Sequence, residues 1–185
     1  MNKLLQNYLE QGFFKTDINV LKASLEKHPW IDRVNISRHW PDTLRISVME
    51  QQAIARWDNV GFLNQRGEVI LIDAVGALEH LPLLSAQNRF SQDVMQQYLR
   101  VNQLLWPNEL TLSELHLDDT LAWTLVLNPD IEIKLGKDNI LEKLQALLYA
   151  KKRQLSKDFQ RIALIDMRYE KGFAVSWQPA AIALN

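Results

Sequence analysis

The side chains able to do chemistry in this chain are four histidines, 22 carboxylates and a scatter of hydroxyls, with no cysteine. Metal binding or acid–base catalysis would need several of them gathered on one face. His28, His39, His80 and His116 lie far apart, and no two share the i, i+4 spacing that puts two imidazoles on one side of a helix. Without cysteine there is no disulfide, thiolate zinc site or cysteine nucleophile, and this is neutral about compartment. Asp118-Asp119 is the sole adjacent acidic pair. Neighbours on a strand point to opposite faces, and turns favour aspartate in any case, so the pair reads as turn chemistry rather than an acid and its base. The chain contains no G-x-S-x-G, Walker loop, dinucleotide fingerprint or H-E-x-x-H. The expectation is no enzyme, no metal and no cofactor, which leaves recognition as the function to look for.

Composition narrows what could be recognised. At 185 residues, with 47% hydrophobic and 23% charged, the chain has material for one or two domains with a core. Acidic and basic residues number 22 and 21, and a net charge of −1 gives no broad field to draw nucleic acid or anionic lipid. No run approaches the roughly 18 to 20 apolar residues that cross a bilayer, and the start has no basic-then-apolar signal sequence. On that charge balance, nucleic-acid binding is not expected.

The elements that would present a recognition surface follow in order. Leu4, Leu5, Tyr8 and Leu9 share one helical face, with Gly12 as the stop. A second helix begins at Thr16 or Asp17, either able to cap it, carries Ile18, Leu21 and Leu25, and ends before Pro29. Val34 and Ile36, then Leu44, Ile46 and Val48, alternate with polar residues at the period of two expected of a hairpin, whose apolar face lies under Trp30 and Trp40. Its turn is Trp40-Pro41-Asp42-Thr43, with Pro41 at the first central position.

After Trp57 the pattern predicts strands at 61–64 and 69–72 around a Gln65–Glu68 turn, a loop over Asp73–His80, and a short edge strand at Leu81-Pro82-Leu83-Leu84, where proline would be tolerated. A helix capped by Ser91 carries Val94, Tyr98, Val101 and Leu105 and ends before Pro107. Runs through Leu117, Leu127 and Leu135, separated by Asp118-Asp119-Thr120 and Asn128-Pro129-Asp130, predict a hairpin series closing on Gly136. Another helix starts near Asp138 or Asn139 with Leu141, Leu144, Leu148 and Leu155, and Lys151, Lys152 and Arg153 make a solvated basic end suited to the helix dipole. The last hairpin runs from Ile162 to Trp177: Ala163, Ile165, Met167 and Tyr169 share one side, Glu170-Lys171-Gly172 is a three-residue turn, and Phe173, Val175 and Trp177 return.

Two clusters of these residues carry a family resemblance. Pro29-Trp30-Ile31, Val34, Arg38, Trp40-Pro41-Asp42, Leu44, Val48, Glu50, Ala55 and Trp57 resemble the polypeptide-transport-associated (POTRA) domain of the bacterial FtsQ/DivIB cell-division family. Asp166-Met167-Arg168-Tyr169, Gly172, Ala174-Val175 and Trp177 resemble that family's closing strands, and Ile131–Gly136 fits between them. Three departures are visible: Ala53 stands where a proline is usual, Lys171 where a serine is known, and no run before Leu4 is long enough for the first POTRA strand.

The resemblance implies an α+β fold, with a POTRA-like domain over residues 1–52 that lacks its first strand, then a mainly antiparallel β-sheet domain with two helices over 53–185. It also implies a non-catalytic divisome scaffold on the periplasmic face of the bacterial inner membrane at the septum, held by a transmembrane helix upstream of this chain. Its partners would be FtsB and FtsL, leading to the septal synthase FtsW/FtsI, and no nucleic acid. The residues expected to bind FtsB by strand addition at the last strand are Arg168, Tyr169, Lys171, Gly172, Phe173, Ala174, Val175 and Trp177. Arg168 would pair bidentately with a partner carboxylate, while Tyr169 and Trp177 would bury amphipathic area. The alternative is a POTRA-bearing chaperone or receptor for outer-membrane assembly or secretion. That class predicts repeated POTRA units or a membrane barrel, and no second Pro-Trp and Trp-Pro-Asp pair is present.

Overall fold

Asp17 opens helix α1 (Ile18–Glu26): its carboxylate accepts the Asn19 and Val20 N–H groups at 2.8 and 3.3 Å, satisfying two donors that the first turn leaves without partners. The computed structural model describes residues 17–72, 76–155, 158–170 and 172–179. The helix predicted around Leu4 to Leu9 lies outside them. Among the described residues the chain divides into two compact units, Met1–Gln52 with Ile70–Asp73, and Ala53–Val69 with Ala74–Asn185.

In the first unit, α1 is followed by the hairpin of β1 (Ile31–His39) and β2 (Thr43–Glu50). The antiparallel register sets Val34 opposite Val48 and Ile36 opposite Ile46, so the alternating apolar residues share one face as the period of two requires. Leu21 and Leu25 of α1 meet Ile31 and Val34 there in a small core edged by Ile36 and Ile46. The two tryptophans do not cover this face. Trp30 and Trp40 are exposed, because Trp40 stands in the turn beyond the strand end, and the Trp40–Pro41 peptide is cis.

The rest of the chain supplies β3 (Ala55–Trp57), β4 (Gly61–Leu63), β5 (Val69–Ile70), β6 (Leu83–Ser85), helix α2 (Ser91–Leu105), β7 (Leu112–Leu117), β8 (Trp123–Leu127), β9 (Ile131–Gly136), helix α3 (Ile140–Ala150), β10 (Ile162–Asp166) and β11 (Ala174–Trp177). Nine strands form one sheet in the order β11-β10-β9-β8-β7-β6-β3-β4-β5. Most neighbours run antiparallel, as predicted. The exceptions are β3 with β6, β6 with β7, and β9 with β10, which run parallel. A parallel pair needs a long crossover, and α2 and α3 are those crossovers for the second and third of them. The chain is a mixed α+β protein.

Several local expectations change. Leu83–Ser85 is an interior strand between β3 and β7, not an edge. Pro82 sits just before it, where no ladder donor is missing, and offers its carbonyl to the Arg56 N–H at 2.8 Å. Ser91 is inside α2 rather than its cap, because a 3₁₀ turn over Asn88–Phe90 feeds the helix directly and no side chain caps it. Val94, Val101 and Leu105 are buried on the predicted stripe, joined by Met95, while Tyr98 is half-buried. The basic run after α3 is a π-turn over Lys151–Leu155. Lys151 is tethered rather than free, donating to the Asn108 carbonyl at 3.0 Å over the Phe159 ring.

The core of this unit lies between the helices and the sheet, with Trp57, Leu84, Leu115, Leu125, Ile133 and Leu144 among its fully buried members. Along β9 the burial alternates: Ile131, Ile133 and Leu135 face the core, while Glu132 and Lys134 pair at 3.6 Å on the other face. Trp57 keeps its indole N–H satisfied by donating to Asn88 Oδ1 at 2.9 Å, the condition for burying that ring.

Candidate partner-binding edge

The last hairpin carries the residues expected to bind a partner. β10 and β11 pair antiparallel from Asp166 opposite Ala174 to Ile162 opposite Trp177, with a bulge in β10 between Ile162 and Leu164. That bulge shifts the alternation, so Ile162, not Ala163, points into the core with Ile165. The ladder ends at Asp166 and Ala174, so the connection spans 167–173 and is not a three-residue turn. Met167 leaves the hairpin ladder to donate its N–H to the Lys134 carbonyl of β9 at 2.8 Å.

β11 is the terminal strand of the sheet, with β10 on one side and no strand of the described residues on the other. The Gln178 N–H donates to the Arg161 carbonyl at 2.7 Å. By the alternation of an antiparallel ladder, Ser176 and Ala174 also turn their N–H and C=O groups inward, and those of Val175 and Trp177 face out. An uncharged four-residue edge of Ala-Val-Ser-Trp lacks the lysines, internal proline or bulge with which edges are usually blunted.

The predicted residues are arranged as follows. Phe173 and Val175 are half-buried and pack against the core, anchoring the strand from inside. Tyr169 is 60% exposed and Trp177 is 49% exposed, so neither ring is spent on the interior. Gly172 has φ +120, and a Cβ added there would meet nothing within 4 Å. Ala174 is exposed, and Lys171 lies outside the described residues. Arg168 is exposed but not unpaired: Asp166 already holds it, with Nη2 donating to Oδ2 at 2.6 Å and Nε donating to Oδ1 at 2.9 Å. Asp166 is buried, and the Arg168 side-chain hydrogen bonds keep its carboxyl below the usual carboxylate range, while the same pairing raises the guanidinium further.

A cleft of about 680 Å³ adjoins this connection, walled by Asp138 ahead of α3 and Glu142 and Lys143 in its first turn, and by Arg168, Tyr169 and Phe173 opposite. Gly136 has φ +78, a left-handed conformation that glycine adopts without strain, and the Arg168 side chain packs beside it. Lys143 Nζ donates to the Leu135 carbonyl at 2.6 Å. Asp166 figures in the sequence only as part of the resembling motif, and neither it nor the α3 wall is among the expected binding residues. The Asp-x-Arg spacing was a usable signal, since residues two apart on a strand share a face, but the α3 wall had none.

The acidic pair weighed for acid–base work is committed to a turn. Asp118 Oδ1 accepts the N–H groups of Ala122 and Thr120 and the Thr120 hydroxyl at 2.8 to 2.9 Å, and these bonds, the one from Ala122 foremost, hold the carboxyl below its ordinary range. Asp119 accepts from Gln87 Nε2 at 2.8 Å, and His116 Nδ1 lies 2.6 Å from Ser85 Oγ. Because Asp118 is occupied with its own turn, it does not orient that imidazole in the manner of a nucleophilic relay.

The chain is similar to proteins of one bacterial family. Residues 55–168 match the family model for the cell division protein FtsQ/DivIB C-terminal region, and residues 2–51 match the FtsQ-type POTRA domain. Over 175 residues the chain is 36% identical to the cell division protein FtsQ of Cellvibrio japonicus, covering 95% of this chain and 54% of that protein. It is 36% identical to the FtsQ of Shewanella oneidensis over 176 residues, 95% of this chain and 67% of the relative. The FtsQ of Escherichia coli is 32% identical over 176 residues, 92% of this chain and 64% of that protein. The chain thus spans between about half and two thirds of the length of these relatives. With both family models matched in order and these identities over nearly its whole length, the chain belongs to the FtsQ/DivIB family of cell division proteins.

Proposed function

We propose that the chain is a non-catalytic interaction module of the divisome, with a POTRA-like half over 1–52 and a β domain over 53–185, that recruits FtsB, and FtsL with it, toward the septal synthase FtsW/FtsI. It acts at the septum, on the periplasmic face of the inner membrane. No helix among the described residues is long and apolar enough to cross a membrane. The observation that carries this reading is the free edge of β11, whose Val175 and Trp177 backbone groups face away from β10. An FtsB strand pairing there satisfies those groups, and Tyr169 and Trp177 supply contact area beside it. The cleft against α3 is continuous with the connection that carries Arg168 and Tyr169 and takes residues flanking that strand.

The test is binding of the soluble part of FtsB to the chain and to Tyr169→Ala and Val175→Pro, with folding checked by circular dichroism. Proline at 175 removes an outward donor and not one bonded to β10. Each folded variant binds at least about tenfold more weakly, a loss of about 1.4 kcal/mol. Parent-like affinity in both variants would remove the edge-strand site.

A further inference from the structure

A second concavity, of about 330 Å³, lies between the C-terminal half of α2 and the segments entering β6 and β7. Its helical wall carries Tyr98, Asn102 and Trp106 at i, i+4 and i+8, one edge of the helix and its continuation. Trp106 is 76% exposed, which places the largest apolar side chain where the core has no use for it. Facing it, Arg56 donates Nε to the Leu81 carbonyl at 3.0 Å, a bond that fixes the guanidinium plane and leaves its terminal nitrogens without an acceptor among the described residues. Asn128, at the β8–β9 turn, spends its backbone N–H on the Thr111 carbonyl at 2.9 Å. Its side-chain amide, that of Asn102 and the Tyr98 hydroxyl also have no protein partner among the described residues.

The lining selects among ligands. A peptide bound by strand addition would need an open strand edge, but β3, β6 and β7 are each paired on both sides. A simple anion would meet Glu79 as well as Arg56. A wholly apolar ligand would leave the guanidinium and two amides desolvated and unbonded. What matches is a ring with one apolar face for the indole and a rim of groups that both donate and accept for the amides, the phenol and the guanidinium. The volume is at the lower end of the range of small-molecule sites.

We propose that this groove is a saccharide-binding site for one or two sugar rings, with Trp106 as the stacking platform and Arg56, Tyr98, Asn102 and Asn128 as the hydrogen-bonding rim. Strands β8, β9 and β10 lie between β7 and the edge strand β11, so the site is separate from the partner edge and its test does not depend on FtsB.

The experiment titrates the isotopically labelled chain with N,N′-diacetylchitobiose and with cellobiose, following the Trp106 indole N–H and the Asn102 and Asn128 side-chain amides by NMR, with an acidic pentapeptide as a control. At least one disaccharide produces saturable shifts at these groups with a Kd of about 1 to 10 mM, and Trp106→Ala and Arg56→Gln each weaken it about tenfold or more. Trp106→Ala removes an exposed ring and leaves the core untouched. Three results would overturn the proposal: silence toward both sugars up to about 50 mM, an affinity unchanged by Trp106→Ala, or shifts produced by the pentapeptide alone.

Discussion

Asp166 grips Arg168 two residues along the chain, taking the Nε hydrogen at 2.9 and 3.1 Å on its two oxygens, the Nη2 hydrogen at 2.6 Å and the Arg168 backbone N–H at 3.1 Å. The pair sits where β10 ends and the connection to β11 begins, so it sets the direction in which the exposed guanidinium and Tyr169 leave the sheet. A residue expected to await a partner's carboxylate is thus already oriented by one of its own, with Nη1 left for an incoming group.

This pair predicts acid sensitivity with a definite sign. The Asp166 carboxyl is depressed in the folded chain, so its contribution is fully present above the unfolded carboxylate value of about 3.9 and is lost as pH falls through the lower folded value. Thermal unfolding followed from pH 7 to pH 3 shows a shallower acid-side decline for Asp166→Asn than for the parent. Equal slopes in the two proteins would show that the pair contributes nothing.

Gly67 predicts a backbone-limited substitution. It has φ +75, and a Cβ there would lie 2.6 Å from the Cα of Gln92, a backbone atom that cannot swing aside. Gly67→Ala therefore destabilises by about 2 kcal/mol or more through strain and overlap together. Urea unfolding measures it, and a loss under about 0.5 kcal/mol would contradict the close approach.

Leu84 tests the position of β6. As a 0% exposed residue on an interior strand, it should cost about 2 to 5 kcal/mol when replaced by alanine. An edge position would cost much less.

Trp177 separates binding from folding. Its ring is half-exposed and outside the core, so Trp177→Ala changes unfolding free energy by less than about 1 kcal/mol while weakening FtsB binding about tenfold or more. A large stability loss with unchanged affinity would return the ring to a structural role.

The two-stranded sheet of the first unit predicts uneven protection. Among the described residues, β1 and β2 rest on a core of four buried residues, whereas β7, β8 and β9 are each paired on both sides over a far larger one. Amides in 31–50 exchange faster than those in 112–136 under native conditions. Equal protection by hydrogen exchange would refute this.

What the sequence by itself determined is local. The alternation in 34–48 and 115–135, the Asp17 cap, the stripe through Val94 and Leu105, and the Asp118 turn each depend on neighbours within a few residues, so their periods and side-chain chemistry were legible without a fold. The choice of Arg168, Tyr169, Gly172 and Trp177 as partner-binding residues came instead from the family resemblance, which no local period supplies. Only the tertiary structure decided which strands are neighbours. Leu83–Ser85 has the same composition at an edge or in the middle, and Pro82 permits either, because it stands just outside the ladder. The parallel pairs, and with them the crossover roles of α2 and α3, arise from contacts between segments tens of residues apart, which leave no mark on local periodicity. The same holds for the two concavities. The α3 wall beside Arg168 and the facing of Trp106 toward Arg56 exist because the chain returns to the sheet there, and an exposed tryptophan reads in sequence like any core tryptophan until its neighbours are known.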